Sequence, residues 1–194
     1  MTRLLLMRHG NTFEEGKQTV QVGLRTDLPL TAFGRNQAQL VAQALQKKPP
    51  QIIFAGRLKR QIESAQIIAD LLGVAVQQTP ALNEIDYGLW EGLTAAAISQ
   101  QWPKEYAEWN KQAKWQDNIF QGTFEKHWDA LQKWLATLQN FETVLGVTSN
   151  GLLRFFKNEK VKTGHLCELF LHSDRIEIGF WNQSQDRLSQ LALS

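Results

Sequence analysis

His9 stands in Leu6-Met7-Arg8-His9-Gly10-Asn11-Thr12, directly after a short apolar run. A neutral imidazole there can attack phosphorus in line and carry the phosphoryl group covalently. The transferring dianion needs positive donors around its oxygens, and guanidinium groups supply them in bidentate fashion. Arg8 adjoins His9, and a second basic stretch, Gly56-Arg57-Leu58-Lys59-Arg60, carries Arg57 and Arg60. The departing alkoxide needs a proton, for which Glu84 is the candidate acid, provided a sheltered site raises its pKa. Ser149 and Asn150 follow a further apolar run, Val144 to Val147.

These residues lie far apart in sequence, so a fold must gather them. Arg3 to Met7, Gln51 to Ala55, Val74 to Val76 and Val144 to Val147 read as short buried strands. Leu166 to Leu171 and Ile176 to Trp181 flank Ser173-Asp174 as a hairpin. Thr31 caps a helix running to about Gln46, which Pro49-Pro50 stops. Leu58 to Leu72 reads as a second helix, closed by Gly73. Thr94 to about Trp115, broken near Pro103, and Thr123 to about Leu138 complete the helices. This alternation predicts an α/β class, a three-layer α/β/α sandwich with a mainly parallel sheet. Ligands bind such sheets outside the carboxyl ends of the strands. Arg8, His9, Ser149 and Asn150 all fall at that edge, with Arg57 and Arg60 nearby.

Composition narrows the class. The chain has 194 residues and a net charge of +2, with 43% hydrophobic and 21% charged residues. That balance excludes disorder and makes a polybasic binder a poor first reading. Four histidines and one cysteine, Cys167, offer no zinc spacing and no internal disulfide, so no metal or cofactor is expected. Leu4 to Met7 is too short for a signal-peptide core or a membrane span, so the expectation is a soluble cytoplasmic protein. One domain over 1–194 is expected, with a helical, Trp-rich insertion or lid at about 93–142. Five of the seven tryptophans lie there: Trp102, Trp109, Trp115, Trp128 and Trp134. They either pack those helices or shield a ligand, with Trp102 or Trp109 the ones to face it. Lys104, Lys111 and Lys114 are offset by Glu105, Glu108 and Asp117, which disfavours nucleic acid as a partner.

The Arg8-His9-Gly10 stretch resembles the signature of the histidine phosphatase superfamily, which includes the cofactor-dependent phosphoglycerate mutases. Four later stretches match in order: Pro29-Leu30-Thr31 with Gly34, Gln37 and Ala38; Leu58-Lys59-Arg60 with Ser64 and Ala65; Glu84 with Gly88 and Trp90 to Thr94; and Val147 to Gly151 with Arg154. The resemblance covers about residues 3–156. It implies His9 as nucleophile, Arg8 and Arg60 as phosphate ligands, and Glu84 as acid and then base. Asn11, Thr12, Asn150 and Gly151 would line the phosphate pocket, while Glu91 is structural. The chief departure is Asn150, where the family carries a second histidine. An amide still donates a hydrogen bond but cannot carry charge, and losing part of a donor worth ~3–4 kcal/mol slows transfer. Gly56-Arg57 and Gly122-Thr123-Phe124 also depart from the family pattern. His127 is expected to pack, His165 to stand near the pocket or apart from it, His172 to lie at the surface, and Cys167 to fill the core. The readings, in order, are a metal-independent phosphomonoesterase acting on a small phosphorylated substrate, a phospho-ligand binder with weakened turnover, and a phosphoglycerate mutase. The family's mutases are longer and cover the site with a C-terminal extension, so a chain ending at Ser194 is expected to favour hydrolysis. Apolar edges in the last hairpin leave a homodimer open.

Overall fold

The computed structural model describes residues 1–186. Six strands form one sheet: β1 (Thr2–Arg8), β2 (Ile52–Ala55), β3 (Val76–Gln78), β4 (Thr143–Thr148), β5 (Leu166–Leu171) and β6 (Ile176–Ile178). Their order is β3-β2-β4-β1-β5-β6. The first four run parallel, and β5 lies antiparallel to both β1 and β6. Apolar runs on β1, β2 and β4 are buried on both faces, as central parallel strands require.

Side chains of β1 alternate between two cores. Leu5 and Met7 face α1 (Ala32–Leu45) and α2 (Lys59–Leu72), where Ala38, Ala42, Ala65 and Ala69 let the two helices lie close to the sheet. Leu4 and Leu6 face the other side, against Leu131, Trp134 and Leu135 of α5 (Phe124–Ala136). The result is the expected three-layer α/β/α arrangement, with helices on both faces of a mixed sheet.

Two strands differ from expectation by more than one residue at an end. The third strand lies at Val76–Gln78 rather than Val74 to Val76, because Gln77 and Gln78 tolerate an exposed sheet edge that apolar patterning cannot reveal. The last strand is Ile176–Ile178 rather than Ile176 to Trp181; pairing resumes only as an isolated bridge between Leu166 and Gln183. The 94–115 region splits into α3 (Ala95–Gln101) and α4 (Pro103–Gln112), with Pro103 in the first turn, where its missing N–H costs nothing. The helix after β4, α6, has only four residues, Asn150–Leu153.

The tryptophans of this region pack. Trp90, Trp109, Ile98, Ile119 and Phe120 form a third buried cluster, with Trp102, Tyr106 and Trp115 against it. Its rings meet edge-on, as at Trp109 and Phe120, 5.1 Å apart. No helix among the described residues is long and apolar enough to cross a membrane.

Candidate active site

His9 leaves the end of β1 at the carboxyl edge of the sheet. Its backbone N–H donates to Thr148 of β4 at 3.0 Å, and the N–H of Arg8 donates to His165 O at 3.0 Å. The nucleophile candidate is thus tied to β4, and its neighbour Arg8 to the residue that precedes β5. The loop after it settles on the start of α1. Gly10 and Gly34 allow that approach, since a Cβ on either would strike the other segment's backbone. Thr31 caps α1 by accepting from Gly34 N at 3.0 Å and donates to Asn11 O at 3.2 Å. Gln37 fastens the loop further, accepting from Asn11 N and donating to Thr163 O.

The tautomer of His9 follows from its contacts. Nδ1 lies 2.7 Å from the Gly10 carbonyl, which can only accept, so Nδ1 carries the proton. Nε2 therefore presents a lone pair, and Arg60 Nε donates to it at 3.2 Å. Burial, then Arg8, then Arg60 hold the imidazole well below its usual pKa, against a smaller upward pull from the Gly10 bond. The ring is neutral with its basic nitrogen toward Arg60.

Glu84 is buried, and burial pushes its carboxyl above the usual range. Arg60, the backbone N–H groups of Ile85 and Gly151, and Arg8 oppose that shift without cancelling it. Ile85 N donates to Oε1 at 2.9 Å and Gly151 N to Oε2 at 3.2 Å. A carboxyl held this way can exchange a proton nearer neutral pH than an exposed one.

Arg8, His9, Asn11, Thr12, Glu84 and Asn150 line one cavity of about 390 Å³. Arg60 and Gly151 stand behind its wall. Arg60 is fully buried and also donates to Thr26 O and Gly23 O, so it reaches the cavity through His9 Nε2. Gly151 reaches it through Glu84. Arg57 is exposed and outside the wall, its backbone N–H taken by Asn83. His165 also lies off the wall, beside Asn182 O, and His127 packs on Trp115. Glu91 is structural: it accepts from Arg25 N, Thr26 Oγ1 and Tyr87 N. Neither Trp102 nor Trp109 lines the cavity. The aromatic cluster reaches it only through Tyr87, which meets Trp109 and Phe120 edge-on.

Sequence reasoning missed several wall residues, chiefly Tyr87, Lys160, Thr163 and the 19–22 loop. Only Tyr87, three residues after Glu84, carried a usable positional signal. Among the described residues no group of three or more His, Cys, Asp or Glu side chains is placed to hold a metal ion.

This site and fold define a class. The chain belongs to the histidine phosphatase superfamily, branch 1, whose family model matches residues 4–165. It is 32% identical over 113 residues to a glucosyl-3-phosphoglycerate phosphatase of Mycolicibacterium vanbaalenii, a match covering 58% of this chain and 49% of that one. A Yersinia enterocolitica protein named "Probable phosphoglycerate mutase" is 36% identical over 112 residues, covering 58% and 49%. The chain thus spans about half the length of the curated relatives it matches. The solved structure of mycobacterial glucosyl-3-phosphoglycerate phosphatase superposes with a TM-score of 0.83 at 23% identity, over 95% of this chain and all of that one, a likeness of fold.

Proposed function

We propose that the chain hydrolyses small phosphomonoesters through a phosphohistidine on His9. The neutral imidazole of His9, with Arg60 at its Nε2 and with Arg8 and a Glu84 of raised pKa on the same cavity wall, carries this reading. In the first step the Arg60 Nε–H gives up its bond to Nε2 and turns to a phosphoryl oxygen, and the freed Nε2 lone pair forms the N–P bond as the P–O bond to the alcohol breaks. Glu84 passes its proton to the departing oxygen. In the second step Glu84, now a carboxylate, takes a proton from water as that water attacks phosphorus and the N–P bond breaks. Phosphate leaves, and Glu84 is again protonated. Arg8 and the Arg60 Nε–H beside Nε2 stabilise the phosphoryl oxygens in both steps.

Asn150 supports the same chemistry at reduced strength. Its Oδ1 accepts from Val161 N at 2.8 Å, which fixes the amide and leaves Nδ2 as its donor. The cavity suits a small metabolite, and the two curated relatives bear the names of phosphoester enzymes. Within 93–142, Trp109 of α4 and Phe120 back Tyr87, while α5 packs on the sheet as one of the outer layers.

The test is phosphate release from simple esters in chelator, with trapping of acid-labile, base-stable phosphoenzyme. Turnover and trapping in wild type, both lost in His9→Ala, are expected. Equal release by His9→Ala overturns the reading. Tight binding of phosphate without any phosphoenzyme favours the second reading, a phospho-ligand binder in which Asn150 has weakened turnover.

A further inference from the structure

Lys160 lies outside every motif described above, yet it lines the same cavity as Arg8, His9 and Asn150. The site itself fixes its position. The Lys160–Val161 peptide donates its N–H to Asn150 Oδ1 at 2.8 Å, and Arg8 Nη1 donates to the Val161 carbonyl at 2.6 Å. Val161 is fully buried in the core. Two wall side chains and one core anchor therefore clamp the backbone that carries Lys160. Its presence at the cavity follows from how Arg8 and Asn150 are held.

Among the described residues no carboxylate pairs with Lys160; the adjacent Glu159 pairs with Lys157 at 2.8 Å. Partial burial, then Arg154 and Arg8, both positive, lower its pKa. Lys160 is exposed as a residue, yet it stands at the cavity wall beside two other positive side chains, an arrangement that an anion in the cavity would relieve. The guanidinium charges acting on His9 are Arg8 and Arg60, so Lys160 is not needed around the reacting phosphoryl group.

We propose that Lys160 determines specificity by binding a second anionic group, a carboxylate or another phosphate, on the leaving portion of the substrate. This rests on the reading of His9 as the phosphoryl acceptor. On that reading the phosphoryl group sits on His9 between Arg8 and Arg60, and the rest of the ester extends along the wall to Lys160. The preferred substrates are then compact phosphomonoesters with a further negative charge a few bonds from phosphorus.

Non-hydrolysable phosphonates separate this proposal from the hydrolytic one. Binding of propylphosphonate, 3-phosphonopropionate and 1,3-propanebisphosphonate is measured by calorimetry in wild type, Lys160→Gln and Lys160→Arg. In wild type one of the two compounds with an anionic tail is favoured over propylphosphonate, and which one identifies the second anion. That preference falls roughly ten- to hundredfold in Lys160→Gln and is largely retained in Lys160→Arg. No preference in wild type, or a preference within about threefold of wild type in Lys160→Gln, overturns the proposal. A Lys160-dependent preference in a chain that releases no phosphate upholds Lys160 and overturns hydrolysis.

Discussion

A methyl group at Gly151 should disable the acid without touching the nucleophile. The backbone there accepts any residue, but a Cβ would stand 2.6 Å from the Tyr87 hydroxyl and closer still to Glu84 Oε1. Ordinary contact begins at 3.4 Å, so the carboxyl must retreat by roughly 1 Å and loosen its bond from Gly151 N. A displacement of that size at a reacting group costs about a hundredfold in rate, or ~2.7 kcal/mol of barrier. Leaving-group chemistry isolates the effect. An alkyl phosphate releases a strongly basic alkoxide that must be protonated, whereas 4-nitrophenyl phosphate releases a phenolate that hardly needs a proton. Single-turnover formation of the His9 phosphoenzyme reports this step alone, before Glu84 acts as base. We expect Gly151→Ala to slow it about a hundredfold with the alkyl ester and less than about tenfold with the nitrophenyl ester. Overpacking should cost ~1–3 kcal/mol of stability, read by urea denaturation, leaving a folded protein to assay. Equal losses with both esters, or no loss with the alkyl ester, would refute the placement of Glu84 as acid.

Asn150→His restores a donor able to carry charge, and phosphoenzyme formation should quicken by about tenfold; rapid quench measures this, and no gain would show that the amide does not limit the rate. Glu91→Ala strands Arg25 N, Thr26 Oγ1 and Tyr87 N, so urea denaturation should show a loss of ~2–3 kcal/mol. A loss under about 0.5 kcal/mol would show that Glu91 does not hold the 23–27 loop. His9 is kept neutral by burial and by Arg8 and Arg60, so its folded pKa lies well below 6.5. The stability this provides is present above the unfolded value and is lost as pH falls below about 6.5, where the unfolded chain takes up a proton the folded one refuses. Denaturation at pH 7, 6 and 5 should therefore show a steeper decline in wild type than in His9→Asn, and parallel declines would count against a buried neutral imidazole.

Much of the fold was legible because burial leaves local traces. Leu4 to Met7 and Val144 to Val147 are apolar runs that only a central strand explains, and Thr31, Gly73 and Pro103 punctuate helices by known chemistry. The two misplaced boundaries lie at sheet edges, where Gln77 and Gln78 or Gly179 to Trp181 carry no pattern that burial enforces. The site divides in the same way. Arg8, His9 and Glu84 could be read because they follow strands or stand in ordered motifs. Lys160 could not, since a long-range clamp from Arg8 and Asn150 brings it to the cavity and neither bond has a sequence period. Gln61 is similar: a buried amide that donates to Leu82 O and Ser149 Oγ, it joins three segments that share no local pattern. Arg57, adjacent to a matching motif, was misleading because position near a site says little about which way an exposed side chain turns.

The backbone N–H groups of His9 and Arg8 bond to Thr148 at the end of β4 and to His165 just before β5, and this sets where the site can move. Strands at the middle of a sheet exchange their amide hydrogens only when the whole domain opens. The floor beneath the phosphoryl group is therefore as long-lived as the fold itself. Residues 14–19, which run between the wall residues Phe13 and Val20, are exposed. On the proposed reading, substrate enters and phosphate leaves on this exposed side, over a base that keeps His9 in register.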